Sequence, residues 1–183
     1  MVIALAGRRI DAPDPKVNRF PLMNVDKVRE DIRKFFTSIR PAALACSGAC
    51  GADLLALEAA GSLGIRRSMV LPFDQALFKS TSVTDRPGDW GNLFDKICKE
   101  VAGEEKIQVL GYAENDDAAY LKTNVDILKK AEVLADKYGV SNDIMAVIVW
   151  EGRAKDKDDA TEHFKNAAQK KNFKVEEINT IVK

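Results

Sequence analysis

The stretch Ala42-Ala43-Leu44-Ala45-Cys46-Ser47-Gly48-Ala49-Cys50-Gly51-Ala52-Asp53 decides the fold. Residues 42–46 are small or apolar and carry no charge, which reads as a buried strand. Two glycines within Ser47 to Gly51 mark the turn, and Ala52 opens an apolar helix that runs to Leu63 and closes at Gly64. A strand that passes straight into a helix is half of a strand–helix–strand unit, and such a unit brings the chain back parallel to its start.

Working outward, the same alternation repeats. Val2 to Ala6 is a first buried strand, followed by a loop rich in proline (Pro13, Pro15, Pro21). Asn24 is placed to cap a helix with apolar residues at Val25, Val28, Ile32, Phe35 and Ile39, and Pro41 ends it. Downstream, strands are predicted at Ser68–Leu71, Ile107–Leu110 and Met145–Trp150, with an edge strand at Lys174–Ile178. Helices are predicted over Leu93–Val101, Ala118–Asp136 and Ala160–Lys171. Residues 74–92 read as a long connection with a short helical turn near Phe78, a length more typical of a functional lid than of a plain link. The expectation is one α/β domain over residues 1–183, three-layered and Rossmann-like, with a mostly parallel sheet of five to six strands.

Composition narrows the function. Of 183 residues, 28 are Lys or Arg and 28 are Asp or Glu, so the chain lacks the basic excess that polynucleotide binding draws on. No apolar run reaches the roughly 20 residues that span a bilayer. The N-terminal apolar stretch is too short for a secretory signal, so a cytoplasmic protein is expected, with no nucleic-acid or membrane partner. Three cysteines (Cys46, Cys50, Cys98) and one histidine do not make a zinc set, and no metal or cofactor is expected.

In an open parallel sheet, ligands gather beyond the C-terminal strand ends, and the candidate residues are taken from those loops. Ser47, Gly48, Ala49, Cys50, Gly51 and Asp53 form the strongest candidate. Small residues at a helix start let a phosphate approach the backbone N–H groups from Gly48 to Ala52. The segment is neither a P-loop nor a G-x-G-x-x-G fingerprint, and it reads equally as a tight turn that needs glycine. Gly7, Arg8 and Arg9 end the first strand. Arginine binds phosphate bidentately, although Asp11 and Asp14 are nearby surface partners, and neighbouring arginines must point apart. Pro72 and Phe73 with Trp90 are candidates to wall a base, and Trp150 and Gly152 sit at the last strand end, where Trp150 serves strand-end packing as well. Asp158 and Thr161 are candidates for ribose contacts. Asp159 and Glu162 have capping-box spacing, and they are also the candidate catalytic carboxylates. His163 falls on the same helix and reads as an ordinary side chain.

Taken together, Gly7-Arg8-Arg9-Ile10-Asp11, Arg19-Phe20-Pro21, the run Cys46–Asp53, Val70-Leu71-Pro72-Phe73, Thr81-Ser82-Val83, Gly88-Asp89-Trp90, Tyr120 with Asn124, and Val147–Gly152 resemble the SLOG superfamily. These are Rossmann-like domains related to the Lonely Guy phosphoribohydrolases and to DNA-processing proteins. The resemblance implies a nucleotide or nucleotide-derived ligand at the strand ends, and a homodimer in which helix 118–136 offers an interface. Enzymatic members carry Gly-Gly-x-Gly-Thr-x-x-Glu on a late strand–helix turn. The similar position here, Lys157 to Glu162, keeps a threonine at Thr161 but lacks the glycines and the glutamate spacing. The leading expectation is therefore a binding or sensing domain. A nucleotide N-glycosidase that uses Asp159 and Glu162 is the alternative, and a protein-interaction subunit without a ligand is the third reading.

Overall fold

In the computed structural model, which describes residues 1–105, 107–116, 118–157 and 159–181, six strands form and all pair in parallel. The strands are β1 (Val2–Gly7), β2 (Ala43–Cys46), β3 (Arg66–Leu71), β4 (Gln108–Val109), β5 (Ile144–Trp150) and β6 (Lys174–Asn179). They form one six-stranded sheet in the order β4-β3-β2-β1-β5-β6. Within it Ile3 stands between Leu44 and Met145. The helices are α1 (Val25–Ile39), α2 (Ala52–Ser62), α3 (Gln75–Ser82), α4 (Trp90–Glu104), α5 (Ala119–Lys137) and α6 (Ala160–Lys170).

The period-two alternation of a strand sorts the core into two layers. Ile3, Leu5, Leu44 and Cys46 pack with Val28, Ile32 and Phe36 of α1, Leu54 and Leu57 of α2, Phe78 of α3, and Phe94 and Ile97 of α4. Val2, Ala4, Ala43 and Ala45 face the other way, onto Ile127, Leu128 and Ala131 of α5 and Phe164 and Ala168 of α6. Helices α1 to α4 thus cover one face and α5 to α6 the other. The winding reverses where the chain leaves β4 on one side of β1 and returns as β5 on the other. A crevice opens at such a switch point because the loops on either side diverge to opposite faces. No helix among the described residues is long and apolar enough to cross a membrane.

Four local expectations need correction. Residues 74–92 are not one long loop. Asp74 caps α3 by accepting from the backbone N–H groups of Ala76 and Leu77, Phe78 is buried 6.1 Å from the ring of Phe94, and α4 already begins at Trp90. The Ser and Thr residues that looked loop-like donate to helix carbonyls, as Ser80 and Thr81 do to Leu77. β3 starts at Arg66 rather than Ser68, since the charge of Arg67 is buried but answered by Glu100 and Glu104 of α4. β4 is only two residues long, a short edge. The side chain of Asn24 does not cap α1. It donates to the carbonyl of Thr180, 2.9 Å away, and ties the helix start to the segment after β6.

Candidate functional site

β1 ends at Gly7 because nothing larger fits. A Cβ there would lie 2.5 Å from that of Ala52 and 2.6 Å from the carbonyl oxygen of Val149. That close approach draws the ends of β1 and β5 and the start of α2 together. The two arginines that follow then part to opposite sides of the sheet. Arg8 is 5% exposed and turns toward β5 and α6. Its Nε donates to Glu151 at 2.7 Å, its Nη1 to both oxygens of Asp159 at 2.8 and 2.7 Å and to Thr161 at 3.2 Å, and its Nη2 to the Arg153 carbonyl at 2.6 Å. The guanidinium also lies over the Trp150 ring, 5.6 Å from its centroid. Arg9 turns the other way and donates to Asp85 and to the Thr81 carbonyl. Neither arginine pairs with Asp11 or Asp14. Asp11 instead accepts from the backbone N–H groups of Arg19 and Phe20 and fastens the proline-rich loop.

Asp159 is the hub of the α6 start. Besides Arg8, its carboxylate accepts from the N–H groups of Lys155, Thr161 and Glu162. Burial alone would push the carboxyl up, but the Lys155 N–H and Arg8 outweigh it and hold it below the usual carboxylate range. A carboxylate so fully engaged has no lone pair ready for proton abstraction. Glu162 lends its N–H to this cap and does not line the cleft described below.

The turn from β2 to α2 is closed in the same manner. Oδ2 of Asp53 accepts from the Ser47 hydroxyl, from Gly48 N–H at 3.1 Å and from Ala49 N–H at 3.3 Å. Cys50 N–H donates to the Ser82 carbonyl and Ala52 N–H to the Arg8 carbonyl. The amides expected to hold a phosphate are therefore largely occupied by the protein itself, and a carboxylate stands where the anion would go. Gly51 holds φ +94° in this turn, and a Cβ on it would meet the Arg8 carbonyl at 2.8 Å. Burial pushes the Asp53 carboxyl up to about 6, against the Ser47, Ala49 and Gly48 hydrogen bonds that favour its ionised form. The thiols of Cys46, Cys50 and Cys98 are buried and raised by desolvation, to about 11 for the latter two, so they are protonated and poorly nucleophilic at neutral pH.

Beyond these strand ends lies a cleft of about 810 Å³. Gly7, Arg8 and Arg9 form its back, Ser47, Ala49 and Asp53 one side, and Asp159, Ala160 and Thr161 the other. Pro72, Phe78, Tyr120, Leu121 and Ile127 give it an apolar wall, and Ser82, Thr123 and Asn124 add polar groups. The Ser82 and Tyr120 hydroxyls lie 2.9 Å apart, and Asn124 donates to the Ala160 carbonyl at 2.7 Å, which pins α5 to the start of α6.

Other candidates lie elsewhere. Trp90 is buried and donates to the Pro87 carbonyl, so it packs the core rather than walling a base. Phe73 is buried and does not line the cleft, and its ring meets that of Tyr120 edge-on. Trp150 is covered by Arg8 and Lys165, while Gly48, Cys50, Gly51 and Gly152 shape the backbone without lining the cleft. Asp158 lies outside the described residues.

No known protein-family model matches the chain, and no curated protein matches it in sequence.

The site's charge comes partly from residues that the sequence reading did not select. Arg19, Arg86 and Lys155 join Arg8 and Arg9 around the cleft. Their carboxylates are shared: Asp85 serves Arg9 and Arg86, and Glu151 serves Arg8 and Arg19. Among the described residues Lys155 has no ion pair, and the Nε of Arg86 is buried without a hydrogen-bond partner. Partial desolvation and the charges of Arg8, Arg19 and Arg9, opposed only by Asp159, lower the Lys155 ammonium below its ordinary value. A cation disfavoured in this way marks a place where an anion is welcome. Thr123 and Asn124 were discoverable as two polar residues interrupting the apolar stripe of α5. Arg86 and Lys155 carried no such sign.

Proposed function

We propose that this domain binds a nucleotide or nucleotide-derived small molecule in the cleft beyond the strand ends, as a binding or sensing module. The observation that carries this reading is that Lys155, without an ion pair among the described residues, lines together with Arg8, Arg9 and Arg19 a cleft large enough for such a ligand; desolvation and then their charge hold its ammonium below the ordinary value. The anionic group sits on Lys155 with spare N–H groups of Arg9, Arg19 and Arg86, and not on the β2–α2 turn. The base lies against Pro72, Phe78 and Tyr120. The likeness of Cys46–Asp53 and Val147–Gly152 to SLOG domains supports the same ligand class. The engaged state of Asp159 favours binding over N-glycosidic cleavage.

The test is a thermal-shift titration with AMP, ADP, ADP-ribose and cyclic nucleotides. A ligand at a hundred times its dissociation constant adds about 2.7 kcal/mol. For a chain of this size that moves the midpoint by roughly 5–11 °C. Lys155→Gln reduces the shift at equal ligand concentration, and no free base accumulates. A flat panel overturns the reading in favour of a domain that acts through protein contacts. Base release that disappears in Asp159→Asn overturns the non-catalytic part.

A further inference from the structure

Asp53 is 6% exposed, yet it lines the cleft. All three of its hydrogen bonds, from Ser47, Gly48 and Ala49, go to Oδ2. Its other oxygen, Oδ1, accepts nothing among the described residues, and no cation forms an ion pair with this carboxylate. Oδ1 is not sealed in the core but opens to the cleft, where a donor on a bound ligand can reach it. Arg8 and Arg9 both reach away, to Glu151 and Asp159 and to Asp85 respectively, so no side chain of β1 fills the place. The ligand of the reading above is an anion and brings no cation of its own, so the donor it can offer Oδ1 is a neutral hydroxyl or amine.

We propose, building on the reading above, that Asp53 is a specificity-determining residue whose Oδ1 accepts a hydrogen bond from a sugar hydroxyl of the bound nucleotide. The β2–α2 turn then recognises the sugar and not the phosphate. The turn's own amides fix the carboxylate through Oδ2, so that Oδ1 is held ready before the ligand arrives. Preorganisation of this kind supports discrimination, because an analogue without the hydroxyl leaves this fixed acceptor without its donor.

The experiment is calorimetric titration of the intact protein with AMP, 2′-deoxy-AMP, 3′-deoxy-AMP and ribose 5-phosphate, repeated with Asp53→Asn. The isosteric amide keeps an oxygen for the turn and places an N–H group where the ligand must donate. Binding of AMP or ribose 5-phosphate, with at least a tenfold loss for one deoxy analogue, is the expected result, and Asp53→Asn removes that discrimination. Equal binding of both deoxy analogues to the wild-type protein overturns the role of Asp53 while leaving the nucleotide site standing. This arm decides the matter even where Asp53→Asn does not fold. A loss that instead follows IMP in place of AMP, titrated alongside, assigns the donor to the base amine and overturns the sugar contact. Absence of binding by every probe overturns the nucleotide reading and this inference with it.

Discussion

Arg8 and Asp53 are both buried charges at the head of the sheet, and they affect stability in opposite directions. Removal of one partner from a buried, hydrogen-bonded ion pair leaves the other uncompensated. Arg8→Ala, which leaves Asp159 without its cation and Glu151 with Arg19 alone, is expected to cost about 3–5 kcal/mol in urea unfolding. The native Asp159 carboxyl titrates below its ordinary value, so its contribution is present above pH 4 or so and is lost as pH falls through the native value. Asp53 is the reverse case. With a native pKa of about 6 against 3.8, the folded state binds more protons than the unfolded chain between those values. Stability attributable to Asp53 is then fullest below pH 3.8 and falls by about 3 kcal/mol as pH rises to 6. Unfolding of wild type and Asp53→Asn at pH 4 and pH 6.5 is expected to show that difference in slope. Parallel pH profiles for the two would assign Asp53 an ordinary carboxylate pKa.

At the scale of elements, the β2–α2 turn and the two helices after β3 show different kinds of legibility. The turn was readable because two glycines interrupt an apolar run, and its backbone bears this out with φ +94° at Gly51. Gly51→Ala is expected to destabilise by about 1–3 kcal/mol, through strained backbone and contact with the Arg8 carbonyl, read as a lower melting midpoint. α3 was readable only as a short helical turn near Phe78, not as a full helix. Its sequence, Gln75 to Ser82, is rich in residues that compete for backbone hydrogen bonds, and its stability comes from the Asp74 cap and the burial of Phe78. Asp74→Ala is accordingly expected to cost about 1 kcal/mol in chemical denaturation. Its loss is expected to raise proteolytic cleavage within residues 75–89, which the Arg9–Asp85 pair also holds.

For the whole molecule, the reversal of winding beside β1 is what brings Ser47, Asn124, and Lys155 with Thr161 to one cleft from three separated parts of the chain. Lys155 is exposed at the rim, so its attraction for an anion is screened by salt. Affinity for AMP is expected to fall as ionic strength rises, and Lys155→Glu is expected to weaken binding roughly tenfold or more, the scale of one charge-assisted hydrogen bond. Titration at two salt concentrations checks both. Salt-independent binding would place the anion away from this rim.

The sequence by itself determined the parallel α/β fold, because short strand segments alternate with helices at lengths that suit parallel crossovers. It also pointed to the loops at the C-terminal strand ends, where the cleft opens. Which charges face one another was decided only in three dimensions. Arg8 meets Asp159 across 151 positions and Arg9 meets Asp85 across 76, and no local pattern records such pairs. Tertiary structure likewise put the Asp53 carboxylate on the amides expected to hold phosphate, and gathered Arg19, Arg86 and Lys155 around the cleft. Patterning is a property of neighbours along the chain, whereas the field at a site is the sum of charges that only folding brings within a few ångströms of each other.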